Sequence, residues 1–593
     1  MPNASEEWSI GAALGRDQGL ALFRRYVGPH VGRVVVLGGC LLLSTGLSVA
    51  GPQVLSRFVN ATRSGAPTAT LVDLALIFVG IGIGAGLLWI SSEYVGAIVS
   101  WKATNAMRAD LTRHCLGLDM TFFEQHTSGE LIERIDGDIG VLASYFSDMF
   151  LLAVSNVLLL VGIGVALFIE DWRLGLCYLP FVVASVFLLR RLVGIALPAN
   201  AEQRRRNALL LGYLEEHLAG LEDVRGNGAS STVVHGFWMR ARELMTAVRE
   251  AARLGVRWPA AAQGLASVGL VAALAAGSAM YLSGSLSLGG LYSLLAYSGM
   301  LQAPLMVIVM QFRQLELSVG AMRRVNDLFG QLSTVTDGPT ALPGRRPGVG
   351  TSVHVDDVSF CYEPGTFALR KVSLTVEPGQ RLALVGRTGS GKSTLARLLF
   401  RFADPTTGRI AFDGADVREA TLHSLRGNVG LVTQDVQIFH ASLRDNVTLF
   451  DPGVGDDRVV EALTEVGLGP WLADQADGLD SMLGAGAAGL SAGEGQLLAF
   501  ARVLAADPGL VVLDEASSRL DAASRRQFDA ALGRLLTGRT AVIIAHRLEA
   551  TRIADRVAVL DNGEIVESGD RAELSSDPGS VFAELLRAGE AFA

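Results

Sequence analysis

Gly386-Arg-Thr-Gly-Ser-Gly-Lys-Ser-Thr394 is the stretch of this chain that decides the fold around it. It follows the apolar run 381–385, which predicts a buried strand, and it precedes the run 395–400, which predicts a helix. The pattern G-x-x-x-x-G-K-[ST] in that context predicts a phosphate-binding loop. Its glycines let backbone N–H groups surround an anion, and the helix N-terminus adds a positive dipole. The predicted nucleotide contacts in this loop are Gly386, Arg387, Thr388, Gly389, Ser390, Gly391, Lys392, Ser393 and Thr394.

Two residues of this loop have a specific predicted role. Lys392 is expected to reach the β- and γ-phosphates of a nucleotide, and Ser393 is expected to bind Mg²⁺. Arginine supplies nearly all the cations of the chain, whose lysines are only Lys102, Lys371 and Lys392. One of these lysines stands where a compact ammonium on a flexible stem is needed, which favours a functional loop over a glycine-rich turn.

The composition indicates a membrane protein with more than one domain. The chain has 593 residues, of which 50% are hydrophobic and only 18% are charged. The net charge of −9 argues against nucleic acid as a partner. The cysteines lie far apart without metal-ligand spacing, and the acidic-polar N-terminus does not resemble a cleavable signal peptide.

Long uncharged runs in the first half of the chain predict membrane spans. A helix rises about 1.5 Å per residue, so roughly 20 apolar residues cross the hydrocarbon core. We therefore predict a membrane α-helical domain at residues 1–330 with six spans and long cytoplasmic extensions. A linker rich in glycine and proline at 331–350 separates it from an α/β P-loop ATPase domain at 351–593. The predicted spans cover residues 31–60, 70–101, 140–169, 172–197, 258–283 and 290–318.

The distribution of arginine predicts the orientation in the membrane. The long connections between spans two and three and between spans four and five are rich in arginine, whereas the other loops are short. The positive-inside rule therefore places both termini and the ATPase domain in the cytoplasm. Each long connection has a helical pattern with a short break, at 117–124 and at 218–223, which predicts tips that dock on a cytoplasmic domain. Glu93 in the second span is either a functional group or a residue near the inner interface.

Polar residues at the ends of apolar strands supply the chemistry of ATP hydrolysis. Asp514 and Glu515 end a predicted strand, so Asp514 is expected to bind Mg²⁺ and Glu515 to polarise the attacking water. Gln434 follows another strand and offers an amide to Mg²⁺ or to water, whereas His546 follows a third and is expected to hydrogen-bond the γ-phosphate. Tyr362 is either a residue that stacks on adenine or a core tyrosine.

A second anion-binding turn is predicted upstream of Asp514. Ser491 and Gly493 stand at the start of a predicted helix, where backbone N–H groups favour negative charge. One phosphate loop already holds the triphosphate, so a second such turn predicts that another chain faces this one.

Taken in this order, the motifs resemble those of ATP-binding cassette (ABC) transporters, specifically half-transporters in which an exporter-type membrane domain precedes the cassette. The resemblance covers residues from about 15 to about 590. It implies a dimer in which each ATP lies between one chain's phosphate loop and the other chain's signature turn, Ser491, Gly493 and Glu494. It also implies a contact from Asp521, a catalytic group of Glu515, Gln434 and His546, and Mg²⁺ held by Ser393, Gln434 and Asp514. Closure of the two cassettes on ATP would turn the membrane helices from inward-facing to outward-facing.

Several residues depart from the family pattern. The signature reads LSAGEGQLL, with Ala492 in place of a glycine, Glu494 in place of a glutamine, and Gly495 in place of an arginine. Arg519 replaces the usual small residue of a loop that faces the dimer interface. These departures favour a heterodimer with a second, different half-transporter, although a homodimer stays possible.

The leading hypothesis is therefore one half of an ATP-driven exporter for a small, lipid-like or peptide-like molecule. An importer on the same fold, as in some siderophore systems, is the alternative within transporters. A non-transporting channel or regulatory subunit is the alternative from another class, and the residues Glu515 and His546 argue against it. The Ala/Gly/Arg-rich composition suggests a bacterial gene and hence the inner membrane.

Overall fold

A computed structural model describes residues 21–342, 349–363, 365–484, 490–514, 522–545 and 548–590. The chain divides into two compact units. The helical unit comprises Met1–Gly117 and Thr127–Gln331, and the sheet unit comprises Leu118–His126 and Leu332–Ala593. The sheet unit thus includes a short piece of chain that comes from within the helical half of the sequence.

The helical unit consists of long helices. Helices α1 and α2 are Val31–Arg63 and Thr68–Leu116, and helix α7, Trp172–Ala219, is of similar length to α2. The others are α4 (Ser128–Ile132), α5 (Ile139–Asp148), α6 (Ser155–Glu170), α8 (Leu221–Gly226), α9 (Ser230–Gly255), α10 (Arg257–Leu282), α11 (Leu288–Met300) and α12 (Gln302–Phe329). Two π-helical segments, Glu133–Asp138 and Met149–Val154, flank α5.

Helices α2 and α7 end where the sequence predicts breaks. Helix α2 ends at Leu116, and the next helix, α3 (Met120–Gln125), belongs to the sheet unit. Helix α7 ends at Ala219, before the short helix α8. The expectation of long helices interrupted by short tips is confirmed.

Five helical segments among the described residues are long and apolar enough to cross a membrane. These segments are Gly28–Arg63, Thr68–Leu116, Ser128–Glu170, Trp172–Ala219 and Ser230–Leu282. The sixth predicted span, at 290–318, is occupied by α11 and α12 and is not among them, so the count of six stays a prediction. The most apolar window of the segment Thr68–Leu116 is wholly unburied within the unit. An apolar helix surface of this length suits the hydrocarbon core of a bilayer, where a helix satisfies its own backbone hydrogen bonds.

Helices α6 and α11 meet in the core of the helical unit. Ile163 of α6 and Tyr297 of α11 are fully or almost fully buried there. The Tyr297 hydroxyl donates to the carbonyl oxygen of Val49 in α1 at 2.7 Å, because a buried phenol needs a hydrogen-bond partner. This polar contact fixes α1 against α11.

The sheet unit contains two sheets and the helices around them. Its strands are β1 (Val353–Glu363), β2 (Thr366–Val376), β3 (Arg381–Val385), β4 (Thr407–Phe412), β5 (Ala415–Asp416), β6 (Val429–Val432), β7 (Leu510–Asp514), β8 (Thr540–Ile544), β9 (Arg556–Asp561) and β10 (Glu564–Asp570). Besides α3, its helices are α13 (Lys392–Leu399), α14 (Leu422–Asn428), α15 (Leu443–Thr448), α16 (Asp456–Glu465), α17 (Gly469–Ala473), α18 (Ala492–Ala506), α19 (Ala522–Leu536), α20 (Arg571–Ser576) and α21 (Val581–Glu590).

The strand order places the site at one edge of the larger sheet. One sheet has the order β2-β1-β4-β5 and is antiparallel. The other has the order β10-β9-β3-β8-β7-β6, in which β9, β3, β8, β7 and β6 run parallel. Strands β3, β7 and β8 read as continuous apolar runs because both faces of a parallel sheet are covered. The carboxyl ends of these strands share one edge, which is where open α/β sheets bind ligands.

Candidate nucleotide site

The predicted phosphate loop joins β3 to α13 and depends on two glycines whose backbone conformations other residues rarely adopt. Gly386 has φ +156° and Gly391, which caps α13, has φ +106°. A Cβ atom added to Gly386 would lie 2.1 Å from the carbonyl oxygen of Leu560, and one added to Gly391 would lie 2.7 Å from that of Ala368. Only glycine therefore allows the loop to close this tightly against its neighbours.

Lys392 lies inside the loop. Its side chain is 4% exposed, and its Nζ donates to the carbonyl oxygens of Gly386 at 2.7 Å and Arg387 at 2.9 Å. Ser393, in the first turn of α13, is exposed. Lys392 and Ser393 thus bring an ammonium and a hydroxyl to the N-terminus of a helix, whose first N–H groups lack partners within the helix, and this is an anion-binding arrangement.

The predicted magnesium ligands lie along the same sheet edge. Ile544 pairs with Leu384 on one side and with Asp514 on the other, so Asp514 stands level with the end of β3. One strand separates β3 from β7, which places their axes about 10 Å apart. Gln434 follows β6, the next strand, and is half-buried.

The oxygen donors at this edge suit magnesium. The donors are the hydroxyl of Ser393, the carboxylate of Asp514 and the side-chain amide of Gln434. Magnesium prefers such hard oxygen ligands together with substrate phosphates, so these residues fit it. Glu515, Asp521 and His546 lie outside the described residues, so their predicted roles stay predictions.

Tyr362 is held near the phosphate loop by its hydroxyl. It lies near the end of β1, packs edge-on against Phe360 at 5.0 Å between ring centroids, and is 43% exposed. Its hydroxyl lies 3.3 Å from Oγ1 of Thr394 and accepts from Arg397 at 3.3 Å. A ring with this exposure, tied to the helix that follows the loop, is suited to stack on a base.

The signature turn has a capping box. Ser491 is the N-cap of α18, and its Oγ accepts from the amide of Glu494 at 3.3 Å. In return, Oε2 of Glu494 accepts from both the amide and the hydroxyl of Ser491, each at 2.8 Å. The hydroxyl that is predicted to meet a phosphate therefore already donates to a carboxylate.

The signature helix also contacts the predicted magnesium ligand's loop. Nε2 of Gln496, in the first turns of α18, donates to the backbone carbonyl oxygen of Gln434 at 2.8 Å. This hydrogen bond joins the signature helix to the segment that contains Gln434, which are separate motifs in the sequence. No local sequence pattern predicts this hydrogen bond, because the two residues are 62 positions apart.

Helix α3 packs on the sheet unit through both of its ends. Asp119, its N-cap, accepts from the amide and hydroxyl of Thr334 at 2.8 and 2.7 Å. Burial raises the pKa of Asp119, but the hydrogen bonds from Thr334 and from the amide of Phe122 outweigh burial and leave it below the ordinary value. At the other end, Glu124 forms an ion pair with Arg397 of α13. The sequence predicts a docking tip here but does not identify Arg397 as the residue that receives it.

Two family descriptions match this chain. Residues 34–305 match the family described as ABC transporter transmembrane region, and residues 369–518 match the family described as ABC transporter. The first match covers most of the helical unit together with the short piece Leu118–His126, and the second lies in the sheet unit, in the order that the sequence predicts.

Curated relatives and a solved structure cover nearly the full chain. An ATP-dependent lipid A-core flippase from Aromatoleum aromaticum is 33% identical, over 93% of each chain. A fatty acid ABC transporter ATP-binding/permease protein from Mycobacterium bovis is 30% identical, over 85% of this chain and 79% of its own. The structure of a bacterial Atm1-family ABC exporter with ATP bound is 26% identical, with a TM-score of 0.80 over 96% of this chain and 98% of that one.

Sequence, fold and site geometry thus lead to one assignment. The membrane region and the ATP-binding region are fused in a single chain, and the flippase relative and the solved exporter match 93% and 96% of its length. The chain belongs to the ABC transporter family, as an exporter-type protein whose ATPase is coupled to transport across a membrane.

Proposed function

We propose that this chain is one half of a dimeric exporter of the bacterial inner membrane that moves a lipid-like molecule by ATP-dependent alternating access. The observation that carries the proposal is the shared sheet edge, where the phosphate loop, Asp514 and Gln434 follow parallel strands. ATP would bind the closed dimer better than the open one, and this difference in affinity would drive the conformational change.

Within each site, Lys392 and the amides of the loop would hold the phosphates. Ser393, Gln434 and Asp514 would hold Mg²⁺, which neutralises charge on the phosphates when bound. Glu515 would take a proton from the attacking water, and His546 would hydrogen-bond the γ-phosphate. Tyr362 would stack on adenine through its exposed face.

Glu494 favours a partner that differs from this chain. In the proposed dimer Ser491 and Gly493 close on the ATP that the partner holds. The carboxylate of Glu494, 2.8 Å from the hydroxyl of Ser491, brings negative charge to the place where a γ-phosphate would arrive. A partner with a neutral amide at the equivalent position would not repel the phosphate of the ATP that this chain holds. We therefore expect the ATP held by the partner, which faces Glu494, to be enclosed less tightly than the ATP held by this chain. Two ATP sites that differ in this way require two different chains, as in a heterodimer.

The relatives favour a lipid-like cargo. The named activities of the relatives concern a lipid A-core and fatty acids. The solved neighbour is named as an exporter, which supports export over import for this chain.

Transport by reconstituted protein tests the proposal. The purified chain, alone and with a candidate partner, is placed in proteoliposomes that contain a lipid with a fluorescent acyl chain, and ATP is added outside. Export through outward-facing ATPase domains would carry the lipid to the inner leaflet, where dithionite no longer quenches it. The matched control is Glu515→Gln, which should abolish transport and hydrolysis. Equal rates with and without ATP, or with Glu515→Gln, would reject the proposal.

A further inference from the structure

Helix α3 meets the sheet unit beside the proposed base-stacking residue. Arg397 forms the ion pair with Glu124 of α3, and the same guanidinium nitrogen donates to the hydroxyl of Tyr362 at 3.3 Å. Thr394, one helical turn before Arg397 on α13, lies 3.3 Å from the same hydroxyl. Residues three apart share a helix face, so Thr394 and Arg397 hold Tyr362 from one side.

The site of this contact is neither fully buried nor fully exposed. The side chain of Arg397 is 47% exposed and that of Glu124 is 35% exposed. Such an ion pair is easily broken and remade when a helix shifts, because water replaces each partner at little cost. It is therefore suited to respond to movement rather than to hold the fold together.

We propose that Arg397 is a positioning residue that links the docking of α3 to the grip of Tyr362 on the base of the nucleotide. The inference rests on the nucleotide site proposed above. When α3 is docked, Glu124 fixes the guanidinium of Arg397, and the guanidinium fixes the hydroxyl of Tyr362. When α3 moves away, Arg397 loses its charged partner, and the tyrosine ring loses one of the two groups that orient it.

The link must act in both directions. If docked α3 strengthens nucleotide binding, bound nucleotide strengthens the docking of α3 by the same factor. The chain thus has a route, made of the side chains of Tyr362, Arg397 and Glu124, from the base of the nucleotide to a helix that follows α2 of the membrane region in the sequence. This route depends on the base of the nucleotide and not on its phosphates.

Competition binding with full-length protein in detergent tests the link. Trinitrophenyl-ATP is the fluorescent probe, and it is displaced either by ATP or by tripolyphosphate, which has phosphates but no base. We expect Glu124→Arg and Arg397→Glu each to lower the affinity for ATP by about fivefold, which is the lower end of the range for coupling between two sites. Tripolyphosphate should compete as in the wild type, which a general loss of structure would not allow. The double reversal, Glu124→Arg with Arg397→Glu, should restore the affinity for ATP.

Further variants keep the test independent of folding and of hydrolysis. Glu124→Gln and Arg397→Gln remove one charge each and replace the reversals if a reversed charge prevents folding. In a Tyr362→Phe background, which keeps the ring and removes the hydroxyl, Glu124→Arg should have no additional effect. The control is Asp356→Arg, which breaks an exposed ion pair with Arg409 between β1 and β4 in the same unit.

The outcomes are distinct. The link is overturned if the single variants bind ATP like the wild type, or if the affinity for tripolyphosphate falls together with that for ATP. It is also overturned if the double reversal does not restore the affinity for ATP, or if Glu124→Arg has the same effect in the Tyr362→Phe background as in the wild type. A protein that binds the probe but transports nothing would refute the proposed function and leave this inference standing.

Discussion

Glu494→Gln should improve the closure of the signature turn on ATP. The two side chains have the same shape, and glutamine also fits a capping box, so the start of α18 is retained. The substitution removes one negative charge whose Oε2 lies 2.8 Å from the hydroxyl of Ser491. Any gain in closure therefore reports the charge and not the fold.

The geometry sets the size of the effect. A phosphate oxygen bound by the same hydroxyl would lie about 4–5 Å from the carboxylate, since each acceptor lies about 2.8 Å from Oγ. Two unit charges at that distance repel by about 1 kcal/mol in water and about 4 kcal/mol near a protein surface. The turn is partly exposed, so we take about 1–2 kcal/mol, or roughly a 5- to 30-fold change in affinity.

Steady-state ATP hydrolysis by the full chain in nanodiscs measures this effect. In the proposed heterodimer the turn that carries Glu494 closes on the partner's ATP, and in a dimer of this chain it closes on both ATP molecules, so the substitution acts in either assembly. We expect the ATP concentration for half-maximal hydrolysis to fall roughly 5- to 30-fold. Glu494→Ala, which removes the cap together with the charge, separates the two contributions, and Ser491→Ala should cancel the gain. A variant that needs as much ATP as the wild type would refute the reasoning.

Three further predictions follow from other contacts. Gly289→Ala should lower stability by about 1–3 kcal/mol in a thermal melt, because the added Cβ would lie 2.2 Å from a backbone carbonyl oxygen of α1, whereas Gly86→Ala, with open space, should not. Asp119→Asn should destabilise the docked α3 at neutral pH. The folded pKa of Asp119 is lowered, so the stability it contributes is present above about pH 4 and is lost as the pH falls through the folded pKa; denaturant melts of both forms should converge there. Lys392→Ala should weaken binding of trinitrophenyl-ATP about 10- to 100-fold, since it removes a charged hydrogen-bond donor.

Local pattern explains why much of the site was predictable. Strands β3, β7 and β8 are short apolar runs, and the polar residue after each run must emerge at the carboxyl edge. The phosphate loop was predictable for the same reason, because its glycines and Lys392 lie within nine consecutive residues. The long helices followed from hydropathy, which needs no knowledge of tertiary contacts.

The capping box of α18 has a recognisable sequence pattern. Ser491 followed three residues later by a glutamate is the pattern of a reciprocal cap, so the position of the carboxylate on the serine hydroxyl could have been predicted. The sequence identified Glu494 as a departure from the family pattern, but the physical meaning of the departure comes from this geometry. A charge that stabilises the start of a helix is the same charge that would oppose a phosphate.

The contact between Glu124 and Arg397 lies beyond any local pattern. The two residues are 273 positions apart, and each alone is an ordinary surface charge on a helix. Their proximity follows from the packing of α3 with the sheet unit, which in turn depends on Asp119 and Thr334. A charged residue one turn after a phosphate loop becomes informative only when its partners are known. The residues of the nucleotide site could therefore be predicted from local sequence patterns. The role proposed for Arg397 could not, because it depends on a contact between two segments that are distant in the sequence.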